Sequence, residues 1–162
     1  MNHRQKIDSR EAGFTIIELL VVLAIGAILF GLTSINLGKA QSTASLSSVK
    51  STLIADLRNQ QILAMSGDKG STNSQQIEGI YIQPTSYTLF SGSSYNSIDP
   101  YNYTVQTDPV SLTTTIPGSV IMFNKGDGSV INFNSSNNSI NLSQSGTTRT
   151  ITMNQFGVTT TK

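Results

Sequence analysis

The chain has no cysteine and no tryptophan, and its one histidine, His3, stands three residues from the start. Without cysteine there is neither a disulfide nor a thiolate nucleophile or ligand. Beyond residue 13 there is no histidine either, so Ser-His and Cys-His catalysis and the usual zinc sites are excluded there. Charge is scarce as well, at 12% of residues. From residue 14 onward seven cations stand against seven anions, so the formal excess of +1 sits in residues 1–13. A neutral body gives nucleic acid no electrostatic footing, and DNA binding is not expected. No G-x-x-x-x-G-K loop is present to cradle phosphate.

What the chain does have is one long apolar run. From Phe14 to Leu32 every residue is apolar or small except Thr15 and Glu18. As a helix this stretch is about 28 Å long, close to the ~30 Å hydrocarbon core of a bilayer. Glu18 is the anomaly. A carboxylate in lipid costs at least ~2.5 kcal/mol unless something neutralises it. The nearest cations in the sequence are Arg10 and Lys39, neither close enough to serve.

The amphipathic pattern continues past the run. Leu46, Val49, Leu53 and Leu57 form the clearest i, i+3, i+4, i+7 stripe, with Ala40, Ala44, Lys50, Ile54, Gln61 and Ala64 in the same pattern. Asp56, Arg58, Asn59 and Gln60 fall on the other side. Ser66-Gly67-Asp68-Lys69-Gly70 reads as the stop. The helix expected from Phe14 to about Ser66 would be ~80 Å long. From residue 71 the composition turns to Ser, Thr, Asn and Gly, with short alternating runs between turn signals. Those runs are Ile77–Gln83, Ser86–Phe90, Tyr101–Gln106, Val110–Ile116, Ser119–Asn124, Ser129–Asn134, Ser139–Leu142, Thr148–Met153 and Phe156–Thr160. The expected class is α+β: a long N-terminal helix packed on an antiparallel β-sheet domain.

Residues Gly13-Phe14-Thr15-Ile16-Ile17-Glu18, behind a leader holding Arg4, Lys6 and Arg10, resemble the prepilin motif of type IV pilins and type II secretion pseudopilins. The resemblance implies cleavage between Gly13 and Phe14 by a prepilin peptidase and N-methylation of Phe14. It also implies assembly through a pair between Glu18 and the Phe14 ammonium of a neighbouring subunit. Two such charges are tolerable in an apolar bundle only where they meet. The implied organisation is a cytoplasmic leader at 1–13, a transmembrane and assembly helix at 14–36, its amphipathic continuation at 37–66, and a β-rich head at 67–162. The basic leader places the N-terminus inside and the head outside. Other pilin subunits, the membrane and an inner-membrane assembly platform are the implied partners of a periplasmic or extracellular filament.

Two further stretches, Asp56–Gly67 and the tail Arg149–Thr159, are similar to the minor-pseudopilin subgroup, which is favoured over a major pilin or a tip adhesin or DNA-uptake pilin. No enzyme activity and no cofactor are expected. Asp99 and Asp108 precede prolines and read as turn residues. Asn124-Lys125-Gly126-Asp127-Gly128 offers one carboxylate where calcium wants several oxygens, so it reads as a hairpin turn and no metal is expected. Gly26 and Gly31 fit either close helix packing or local melting during extraction from the membrane. Tyr81, Tyr87, Tyr95, Tyr101 and Tyr103 are expected to pack on the sheet rather than form a contact patch.

Overall fold

The computed structural model describes residues 13–66 and 77–161, with the backbone alone described for 32–38. The leader up to residue 12 and the polar turn at 67–70 therefore lie outside the described residues. Among the described residues one α-helix, α1 (Ile16–Ser66), is followed by eight strands. The chain divides into two compact units, Met1–Gly38 and Lys39–Lys162.

In the second unit the strands form two antiparallel sheets. One has the order β3-β2-β1-β5, from β1 (Glu78–Gln83), β2 (Ser86–Ser91), β3 (Tyr103–Gln106) and β5 (Val120–Phe123). The other has the order β4-β6-β7-β8, from β4 (Ser111–Thr114), β6 (Ser139–Gln144), β7 (Thr147–Met153) and β8 (Thr159–Thr161). The α+β class agrees with the sequence reading, and α1 runs unbroken to Ser66, the last residue described before 77. Where one sheet was expected there are two. A single core joins them, built from Leu46, Leu53, Leu57 and Ala64 of α1 with Ile80, Tyr87 and Phe123 of the first sheet and Ile140, Leu142 and Ile151 of the second. Alternation chooses these residues, since on β6 Ile140 and Leu142 are buried while their neighbours are only half so.

Four local expectations are corrected. The helix begins at Ile16 rather than Phe14, because Thr15 caps it. Ala40 and Ala44, placed on the stripe, are exposed. Gln60, placed on the polar side, is buried, and Asp56 is half-buried because it accepts a 2.5 Å hydrogen bond from the Tyr87 hydroxyl. Ser129–Asn134 forms no strand. Val130 makes an isolated bridge to Phe123, and then Asn132, at φ 54°, turns the chain out of extended geometry.

Gln61 ties two turns to the helix: its Nε2 donates to Gly128 O (2.9 Å) and Phe156 O (2.7 Å). Gly157 is required beside it, since its φ is 74° and a Cβ there would stand 2.5 Å from Gln61 Nε2. Asp127 behaves as the hairpin reading expects. Its Oδ1 accepts from Ser129 N (3.0 Å) and Ser129 Oγ (2.9 Å), and those bonds hold its carboxyl below the usual carboxylate range. Asp99 likewise accepts from Tyr101 N.

The tyrosines divide. Tyr87 is wholly buried, and Tyr81 stacks on Tyr95 at 4.2 Å with Phe90 edge-on to the same ring, whereas Tyr101 and Tyr103 are about two-thirds exposed.

Burial, reinforced by the adjacent Asp56 carboxylate, pushes the Tyr87 phenol above its ordinary value. The unfolded chain would lose that proton near pH ~10 while the fold keeps it. Stability from this group is therefore complete below about pH 10 and falls as pH rises beyond it. Tyr87→Phe strands Asp56 and should cost about 1–3 kcal/mol at neutral pH. The same variant should flatten the alkaline fall in stability, with both effects read by urea unfolding followed by circular dichroism across pH.

Candidate assembly site at the helix N-terminus

In the first unit the site is built by the opening turn of α1. Thr15 occupies the N-cap position, Ile16 and Ile17 follow, and Glu18 is the third helical residue. The Thr15 hydroxyl accepts from Glu18 N–H at 3.2 Å. In return Glu18 Oε2 accepts from Thr15 N–H (3.4 Å) and from the Thr15 hydroxyl (3.3 Å). This is a capping box, in which two otherwise unpaired backbone donors are satisfied reciprocally. The Thr-x-x-Glu spacing announces it, and the sequence reading missed it by looking for a cation alone. Glu18 thus has a neighbour within its own chain, although one that neutralises no charge. Its carboxylate also stands at the positive end of the helix dipole, where an anion is favoured.

Around this polar knot the surface is apolar. Phe14 is 81% exposed and Phe30 76%, and Ile16, Ile17, Leu20, Leu23, Ile25 and Ile28 are exposed between them. Scattered exposed leucines are ordinary, but a continuous apolar surface of this extent is the signature of a contact with another molecule or with lipid. Gly13 and Phe14 lie just ahead of the helix. A Cβ built on Gly13, Gly26 or Gly31 would meet nothing within 4 Å. Neither Gly26 nor Gly31 has a left-handed φ. The chain's own described fold therefore gives no reason for glycine at these positions.

Among the described residues no helix is long and apolar enough to cross a membrane. The apolar part of α1 whose side chains are described ends at Gly31, about 22 Å beyond Ile16, while the expected span of 14–36 runs into the residues described by backbone alone. Among the described residues no group of acidic or histidine side chains is arranged to hold a metal.

Residues 8–34 match the family model of the prokaryotic N-terminal methylation motif, the signature of type IV pilins and pseudopilins. The chain therefore carries a pilin-type N-terminal processing motif. Searches of curated proteins and of solved structures return no match.

Thr15→Ala removes one half of the capping box and should cost the helix start about 1 kcal/mol. Amide hydrogen exchange in detergent micelles should then show faster exchange at Ile17, Glu18 and Leu19 with the exchange of Leu53 and Leu57 unchanged.

Proposed function

We propose that this protein is the structural subunit of a type IV pilus or type II secretion pseudopilus-like filament. In this reading a prepilin peptidase removes residues 1–13, Phe14 is N-methylated, and residues 14–36 sit first in the membrane and then in the filament's helical bundle. The observation that carries it is the coincidence, within the matched residues 8–34, of an exposed apolar helix and a carboxylate fixed at its first turn. An apolar helix with no face of its own to cover needs either lipid or other copies of itself, and a filament subunit meets both in turn.

The capping box gives the Glu18 pair a physical form. Thr15 restrains the carboxylate at the head of the helix, one residue from the terminus that cleavage would create at Phe14. A neighbouring subunit's Phe14 ammonium then supplies the missing cation and sets the axial register. The freedom around Gly13 fits a glycine selected by the peptidase rather than by the fold. Residues 37–66 would carry the head, 67–162. A minor pseudopilin is favoured because the tail from Arg149, a strand followed by a glycine turn and a short terminal strand, resembles that subgroup, as does Asp56–Gly67.

Two experiments test this. Intact-mass analysis of membrane-extracted protein should find a chain beginning at Phe14 and heavier by one methyl group; residues 1–13 still attached would overturn the processing scheme. Glu18→Ala should leave insertion and cleavage intact while removing about 3 kcal/mol per subunit contact, roughly a hundredfold in the assembly equilibrium. The pelletable filament fraction reads this out, and normal assembly of the variant as the sole subunit would refute the register role.

A further inference from the structure

Along the outer edge of the first sheet the pairing of β5 stops short. Ile131 N–H donates to Met122 O (2.8 Å) and Asn124 N–H to Ser129 O (2.7 Å), so residues 129–131 run antiparallel beside β5. Asn132, at φ 54°, then leads the chain away. The N–H and C=O of one strand residue point to the same side, and those of the residue two before it do likewise. Met122 O points away from β1, so Met122 N–H and both groups of Val120 do as well. Among the described residues no hydrogen bond is made to Met122 N–H or to either group of Val120. Main-chain groups that a fold leaves unpaired are met by water or by a partner.

Beside this open edge lies a cavity of about 160 Å³ whose walls include Ile116, Val120, Met122, Val130, Phe133 and Met153. A cavity of ~150 Å³ holds one benzene ring, so this one has room for a single large side chain. The polar part of its lining is asparagine alone, and no charged side chain takes part.

We propose that this edge takes up an extended, uncharged peptide segment of another protein, which pairs with Val120 and seats one leucine- or phenylalanine-sized side chain in the cavity. The two features fit one occupant. A residue lying antiparallel and directly opposite Val120 exchanges both hydrogen bonds with it. Its side chain then falls on the sheet face of Val120 and Met122, the face that opens on the cavity. Main-chain bonds supply the hold of such an added strand, and the pocket supplies its selectivity. A lipid tail would fill the cavity but leave the Val120 groups unpaired, and a charged segment would lose its hydration with no countercharge in return. A second copy of this chain is a poorer fit, because the large apolar residues of its own strands, such as Ile80, Leu112, Leu142 and Ile151, are buried in its core. The pairing does not depend on polymerisation, so its failure would leave the filament reading untouched.

The test uses the full chain in detergent micelles, its methionine methyl groups labelled with carbon-13 for NMR. Met122 and Met153 line the cavity, whereas Met65 on α1 does not and serves as the control. Acetyl-Thr-Phe-Thr-amide should shift the Met122 and Met153 methyl signals saturably and leave Met65 in place. It should bind at least about tenfold more tightly than acetyl-Thr-Ala-Thr-amide. Methylating the phenylalanine nitrogen removes the donor to Val120 O but keeps the side chain and does not lessen partition into the micelle. That peptide should bind about threefold more weakly or worse. Val120→Phe, which fills the cavity from its half-exposed edge, should weaken binding by roughly tenfold or more with circular dichroism unchanged. If that variant does not fold, the methylated peptide on the unaltered chain decides. Equal binding of the phenylalanine and alanine peptides, no effect of methylation, or a matching shift at Met65 overturns the proposal. Shifts of Met122 and Met153 that grow with protein concentration in the absence of peptide assign the edge to a second copy of this chain and overturn it too.

Discussion

Everything at the N-terminal end follows from one constraint: a carboxylate stands at the head of a helix whose apolar surface is uncovered. Capping by Thr15 satisfies backbone donors around Glu18 but leaves its charge unneutralised. In water the combination would be harmless to Glu18 and unfavourable for the leucines; in lipid the balance is reversed. Only an environment that is apolar and also brings a cation to this one point suits both. In the filament proposed above, a bundle of such helices with a terminal ammonium beside each carboxylate would be that environment.

The second unit solves a different problem with the same helix. There α1 shows one buried stripe, Leu46, Leu53, Leu57 and Ala64, and leaves Arg58 and Asn59 to solvent. The stripe joins two sheets whose strands are short and poor in large apolar residues, so polar groups share in holding the interface. Tyr87 reaches Asp56, and Gln61 reaches the carbonyls of Gly128 and Phe156. With no cysteine in the chain, these contacts and the shared core hold the strand turns to the helix.

What was legible in the sequence was whatever repeats. The apolar run, the stripe Leu46-Val49-Leu53-Leu57 and most strand alternations declare themselves through period, and the methylation motif through its spacing. Single polar residues were less readable. Asp56 looks like a solvent-facing residue until its partner Tyr87, on the second strand, is known, and Gln60 until the fold is seen to bury it. Ser129–Asn134 alternates as a strand should, yet Asn132 tolerates the left-handed conformation that ends it. The division into two sheets was hidden for a related reason. Alternation says which side chains of a strand share a face but not which neighbour the strand pairs with, and pairing here crosses the order of the chain, β5 joining β1 and β4 joining β6.

The two halves of α1 also show why one helix needs two kinds of sequence. A helix that is apolar all round has no preferred face and accepts neighbours from any direction, which suits packing among equivalent copies. A helix with a single stripe accepts one partner in one orientation, which suits a fixed domain. Glu18 supplies the first half with what uniform apolarity lacks, a unique position along the axis. Without a polar mark, helices slide past one another at little cost, because each leucine meets much the same surroundings one turn further on. In the proposed bundle, a one-turn slip of about 5.4 Å would separate the carboxylate from a neighbour's ammonium. The same polar group that would be expensive in lipid is therefore the one that can make the packing of this helix specific.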